Sequence, residues 1–324
     1  MYAPRISAIL FCINRIKALL LHRFFYEYMA VNRFKGLGVA LITPFRSDNS
    51  IDIEALDRLV EYQIKGGVDF LCIMGTTAET PTLTTEEKQM LKNHLVERVA
   101  GRVPLLMGCG GNSTAAVVNE LQSFDWKGID GILSVCPYYN KPSQEGLYQH
   151  YRALAQASPL PIVLYNVPGR TGVSIAPATY AKMSKVPNLT AIKEANGNIS
   201  AVVETATLVG DAMDIYSGND DQIVPIMACG GKGVISVLSN LLPKETSEMC
   251  RKMREGDVVG AMEMQKKYLA LTNALFSEVN PIPVKAAMAA MGFCENSLRL
   301  PLTPMEEAHE QHLLACMREV GLKV

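Results

Sequence analysis

Net charge is almost missing from this 324-residue chain: 31 Lys and Arg stand against 32 Asp and Glu, a formal −1. Phosphate backbones are held by concentrated cations, and no long basic stripe occurs after residue 36, so nucleic acid is not an expected partner. Nor does any wholly apolar run approach the ~20 residues of a bilayer-spanning helix, so no membrane partner is expected. The eight cysteines are scattered without a CxxC pair, which argues against a zinc ribbon or a redox motif. They read as reduced thiols of a cytoplasmic protein, with Cys72 and Cys136 as small core residues inside apolar runs. His309 and His312 lie at helical spacing but outside an HExxH pattern, so they read as a solvated helix face and no metal is expected. A dinucleotide fold loses ground as well, because no GxGxxG follows the first strand.

What the chain does have is alternation. Apolar residues make up 48% and charged residues 19%, ordinary for an α/β enzyme. From Gly36 onward, short apolar runs alternate with longer amphipathic ones. The spacing predicts strands at 38–43, 70–74, 105–108, 131–135, 162–165, 190–193, 214–217 and 233–236. Helical patterns lie between them, at 53–65, at 85–99 behind a Thr84/Glu87 capping box, and from Ser143 and Asn198. Eight such units point to a (β/α)8 TIM barrel over 34–256. Three helical patterns follow, at 258–275, 282–291 and 303–320, separated by Asn280-Pro281 and Leu300-Pro301. They read as a C-terminal three-helix appendage, 257–324, serving packing or oligomer contact. Residues 1–33 read as an N-terminal extension. Its first 28 residues carry Arg5, Arg15, Lys17 and Arg23 with no acid before Glu27, which fits a presequence or, preferably, upstream sequence with Met29 as the true start.

A TIM barrel builds its active site at the C-terminal ends of its strands. Lys193 ends strand 6 after Leu189-Thr190-Ala191-Ile192 and should emerge into the barrel mouth. Poor hydration there disfavours the ammonium, and a neutral amine is what attack on a ketone requires. A strand-end lysine snorkelling to water fits the same position. Tyr165, on the adjacent strand, is placed to move protons, with relay hydroxyls from Thr76 and Tyr139. Packing is the competing reading for these aromatics. Arg170 follows Pro168-Gly169 at the rim, where a guanidinium can fork onto a carboxylate or make a surface ion pair. Thr76 and Thr77 offer hydroxyls and backbone N–H groups to a small keto acid, or simply cap a turn.

These segments together resemble the dihydrodipicolinate synthase / N-acetylneuraminate lyase family. The matches are Gly75-Thr76-Thr77-Ala78-Glu79, Pro137-Tyr138-Tyr139-Asn140-Lys141-Pro142, Tyr165-Asn166-Val167-Pro168-Gly169-Arg170-Thr171, Ile192-Lys193-Glu194-Ala195 and Gly233-Val234-Ile235-Ser236. The resemblance implies a class I aldolase-type lyase of lysine and diaminopimelate biosynthesis, acting on pyruvate and L-aspartate 4-semialdehyde without a cofactor. In that scheme Lys193 forms the imine, while Tyr165, Thr76 and Tyr139 relay protons, with Tyr139 reaching a neighbouring subunit. Thr77 holds the pyruvate carboxylate and Arg170 that of the second substrate. Backbone at Gly218 and Ile235 lines the pocket. A homo-oligomer, a dimer or a dimer of dimers, is implied. Arg170 and the Thr76-Thr77 pair separate the chain from the sialic acid lyases. A related sugar-acid aldolase and a non-catalytic barrel that binds a small acid stay open as rivals. Two departures stand out. Ala78 replaces a usual glycine, so the turn after Thr77 is expected to differ slightly. Of the residues that bind inhibitory L-lysine in relatives, Asn112 and Tyr138 match but Ala116, Thr85 and Lys88 do not, so inhibition should be weak or absent.

Overall fold

The computed structural model describes residues 34–324; the expectations for 1–33 lie outside them. Eight parallel strands close into a barrel in chain order. They are β1 (Gly36–Ala40), β2 (Phe70–Ile73), β3 (Leu105–Gly108), β4 (Gly131–Val135), β5 (Ile162–Asn166), β6 (Leu189–Glu194), β7 (Asp214–Ser217) and β8 (Gly233–Ser236). The (β/α)8 barrel with C-terminal helices is therefore present. Among the described residues no helix is long and apolar enough to cross a membrane.

Local chemistry explains where the elements begin. Asp52, Ser143 and Asn198 each cap a helix by accepting a backbone N–H, and Thr84 with Glu87 forms the expected capping box. Closure depends on backbone contact between β1 and β8. A Cβ on Gly233, which has φ +154°, would fall 1.8 Å from the Gly36 carbonyl oxygen, so only glycine lets these strands meet. Phe34, Phe70 and Tyr216 meet edge-on near this end of the barrel.

Several expected boundaries move by one residue, and three elements differ by more. β1 starts at Gly36 and stops at Ala40, because beyond it the backbone bonds to a side chain: Asn240 donates to Ala40 O at 2.9 Å and accepts from Ile42 N at 3.4 Å. The pattern at 258–275 becomes two helices, Val258–Lys267 and Leu269–Ala274, interrupted at Tyr268, whose φ −96° and ψ 3° leave the helical region. The last helix runs Glu307–Glu319, not from 303, because a proline at 304 disfavours helix in the residue before it.

A buried ion pair fixes the C-terminal helices to the barrel. Lys285, in helix Ile282–Ala290, reaches Glu79 Oε1 at 2.6 Å, and both side chains are fully inaccessible. Burial pushes the Lys285 pKa down, while the Glu79 charge pulls it back up. Arg299 adds its backbone N–H to Glu79 Oε2 and forks onto Glu87 with two guanidinium nitrogens. Both cations lie over the Phe45 ring at 4.3 Å. The left-handed residue of the turn is Glu79 itself (φ 53°), not Ala78. Alanine therefore stands in for glycine there without backbone strain.

A second buried carboxylate sits outside the barrel wall. Glu194 accepts from Asn166 Nδ2, the Tyr180 hydroxyl and Asn196 N, tying β5 and β6 to helix Pro177–Met183. Burial raises its pKa to about 7.

Both carboxylates yield predictions. Removing one member of a buried ion pair strands the other, at a cost of about 3–5 kcal/mol. Lys285→Met should therefore unfold at a clearly lower urea concentration; a wild-type midpoint would show that the pair is dispensable. For Glu194, the folded state keeps its proton up to about pH 7, whereas an unfolded glutamate releases it near ~4.3. The folded state thus binds the extra proton in this window, and stability falls as pH rises through it. Glu194→Gln should remove that part of the slope in denaturation measured from pH 4 to 8. Parallel profiles for variant and wild type would refute the assignment.

Candidate active site

Strand alternation decides which groups face the barrel interior. In β6, Lys193 points inward and its neighbour Glu194 outward. β5 and β6 pair in register, Tyr165 opposite Lys193 and Asn166 opposite Glu194. The Lys193 amine consequently lies over the Tyr165 ring, 4.4 Å from its centroid, with both residues buried. A cation on an aromatic face is attracted by the ring quadrupole. This places the amine beside the phenol-bearing side chain.

A cavity of about 570 Å³ opens above this pair. Its floor comes from inward strand positions: Ala40, Cys72, Leu133, Tyr165 and Lys193. Cys72 is an inert thiol there; burial raises its pKa to about 11, although the Lys193 charge opposes the shift. The loop after β2 contributes Gly75, Thr76 and Thr77, the loop after β5 contributes Gly169 and Arg170, and Gly218 directly follows β7. Gly218 packs against β6, its N–H donating to Glu194 O at 2.7 Å. Six of the expected residues therefore share one space: Lys193, Tyr165, Thr76, Thr77, Arg170 and Gly218.

The other two do not line it. Ile235 is buried within β8, and the nearby lining residue is Val237. Tyr139 is 88% exposed, on backbone with φ 72°. Within one chain it is not among the residues that line the cavity.

The C-terminal segment does more than pack. Phe276, Ser277, Glu278, Val279 and Asn280 form a wall of the cavity. Asn280 donates from Nδ2 to Thr77 Oγ1 at 2.9 Å, and its main-chain oxygen accepts from Arg170 Nη2 at 2.9 Å. Sequence reasoning took Asn280-Pro281 only as a helix divider. The one available signal was an asparagine directly before a proline, which marks a turn but no site. Glu278 is held from behind by His309 Nδ1 at 2.8 Å and by Glu306 N at 2.9 Å. The carboxylates of Glu278 and Glu306 lie with His309 inside 4.8 Å, the one set of possible metal ligands found among the described residues.

A smaller cavity of about 360 Å³ adjoins the first and is lined in part by Thr80, Pro81, Lys88, Glu120 and Tyr138. Lys88 Nζ stands 4.0 Å from Glu120 Oε1, so a cation already occupies this space with its counter-charge.

Comparison with known proteins agrees with this architecture. Residues 33–320 match the model of the dihydrodipicolinate synthetase family. The chain is 50% identical over 289 residues to the 4-hydroxy-tetrahydrodipicolinate synthase of Alkaliphilus oremlandii, covering 89% of this chain and 99% of the relative. The crystal structure of dihydrodipicolinate synthase from Thermotoga maritima superposes with a TM-score of 0.87 at 43% identity, covering 90% of this chain and all of that one. The Acinetobacter baumannii dihydrodipicolinate synthase, solved with pyruvate, gives 0.87 at 38% identity, covering 89% and 99% of the two chains. With the barrel, the lysine–tyrosine pair and the matched length in agreement, the chain belongs to the dihydrodipicolinate synthetase family.

Proposed function

We propose that the chain condenses pyruvate with L-aspartate 4-semialdehyde to 4-hydroxy-tetrahydrodipicolinate, through a Schiff base on Lys193. The observation that carries this is the Lys193 amine in the cavity at the barrel mouth, against Tyr165 and sharing that space with Arg170. The amine attacks C2 of pyruvate, and loss of water leaves a protonated imine. Loss of a proton from C3 gives the enamine. Its carbon adds to the aldehyde of the second substrate, whose own amine then displaces Lys193 as the ring closes. The imine serves as the electron sink, so the steps call for no metal or organic cofactor.

Each proton movement needs a hydroxyl within reach, and Tyr165 with Thr76 supplies two from this chain. In the proposed scheme Tyr139 supplies the third to the site of a partner copy, and the chain works as a dimer or a dimer of dimers in the cytoplasm. An aromatic ring left almost wholly in water on left-handed backbone supports that use. Thr77 takes the pyruvate carboxylate and Arg170 that of the semialdehyde, with backbone at Gly218 shaping the pocket and Ile235 packed behind it in β8. Residues 34–256 form the catalytic barrel in this scheme, 257–324 a helical domain, and 1–33 an extension. A sugar-acid acceptor is disfavoured by Arg170, whose guanidinium suits a short acid better than a polyol.

Borohydride reduction in the presence of pyruvate should add one pyruvate-derived group to Lys193, seen by peptide mass spectrometry, and none to Lys193→Ala. A folded wild-type chain that traps nothing would leave the non-catalytic barrel as the better reading. Inhibition by L-lysine should be weak, with half-inhibition above the millimolar range, because Lys88 sits opposite the nearby Glu120 carboxylate. Half-inhibition well below a millimolar would refute this.

A further inference from the structure

We infer that Asn280 is a positioning residue that orients the Thr77 hydroxyl toward the keto acid while its main chain steadies Arg170. The inference rests on the reaction proposed above. Asn280 lies in the C-terminal segment, 6% exposed, on the cavity wall. It touches both groups assigned to substrate carboxylates, through chemically different atoms. The side-chain Nδ2 donates to Thr77 Oγ1, and the main-chain oxygen accepts from Arg170 Nη2.

The direction of the first bond matters. A threonine hydroxyl has one proton and two lone pairs. Asn280 Nδ2 occupies a lone pair, so this bond does not use the Thr77 proton. Thr77 is itself 4% exposed, and among the described residues its hydroxyl has no acceptor for its own proton. It is therefore left to donate into the cavity, which is what a carboxylate beside Lys193 requires. The Asn280 amide oxygen is buried without a partner. That unpaired oxygen is the consequence of turning the N–H₂ to Thr77, and the aspartate variant below tests this orientation.

The test is steady-state kinetics with both substrates on the full chain. Asn280→Ala removes the N–H donor, and the pyruvate KM should rise about tenfold, the loss of one hydrogen bond that supports binding of a charged group. The KM for the semialdehyde should change by less than about threefold, because the Arg170 contact uses the main chain and survives. Asn280→Asp is nearly isosteric but supplies only acceptors. It would capture the Thr77 proton and set a negative charge close to the pyruvate carboxylate. It should therefore be worse than alanine, by roughly another tenfold in pyruvate KM. In a Thr77→Val background, Asn280→Ala should add little. Borohydride trapping at saturating pyruvate confirms that each variant retains its site. Aspartate performing as well as alanine or better, or an undiminished alanine effect without the threonine hydroxyl, would overturn the assignment. A wild-type chain that traps no pyruvate would overturn the reaction itself, and this inference with it.

Discussion

The register between β5 and β6 sets the reacting geometry. Side chains alternate faces along a strand, so a slip of one residue would turn Lys193 out of the barrel and bring Glu194 in. The observed register holds Tyr165 opposite Lys193 and Asn166 opposite Glu194. One pair faces the cavity and the other faces the surrounding helices. The outward pair reinforces the inward one. Asn166 donates to both Glu194 oxygens, and its own oxygen accepts from Ile175 N, so the register carries a buried hydrogen-bond network as well as the strand ladder. A polar group at this depth is tolerated because each of its partners is in place.

The barrel alone would leave its mouth unfinished. The turn at Thr76–Ala78 is short and ends in a left-handed glutamate, a conformation that ordinary side chains seldom adopt. What holds Glu79 there comes from more than 200 residues away: the Lys285 ammonium and the Arg299 N–H. One turn earlier in space, Asn280 holds Thr77. The C-terminal segment thus grips the substrate-facing loop at two neighbouring points, one ionic and one neutral. Packing by these helices and definition of the active site are the same set of contacts.

Local patterns reveal some of this and not the rest. Strand ends were legible because apolar runs of four to six residues stop abruptly at reactive side chains, as in Leu189-Thr190-Ala191-Ile192 before Lys193. Helix starts were legible because capping needs particular residues at fixed offsets, as at Thr84 and Glu87. The β1 boundary was not, because the partner that ends its pairing is the Asn240 side chain, which no window around residue 40 contains. Asn280, Lys285 and Glu79 were missed as a group for the same reason. Each is unremarkable in its own segment, and its meaning arises from pairing across most of the chain. Tyr139 shows the converse. Sequence singled it out, and one chain by itself gives it no place among the lining residues of the cavity.

Two acids have to enter one cavity, and on the proposed assignment they meet different donors. Thr77 offers a neutral hydroxyl within a buried turn, whereas Arg170 offers a guanidinium at the mouth. A neutral hydroxyl holds a carboxylate less strongly than a forked cation does. The weaker donor is sufficient for pyruvate, because once the imine forms the lysine tethers it covalently and the carboxylate needs orientation more than affinity. The semialdehyde has no covalent hold until its new carbon–carbon bond exists, so it needs the stronger anchor. A second guanidinium beside Lys193 would also work against the chemistry, since it would sit next to the cationic imine through which the reaction passes. Which substrate is tethered and which is free thus accounts for a hydroxyl in the depth and an arginine at the rim.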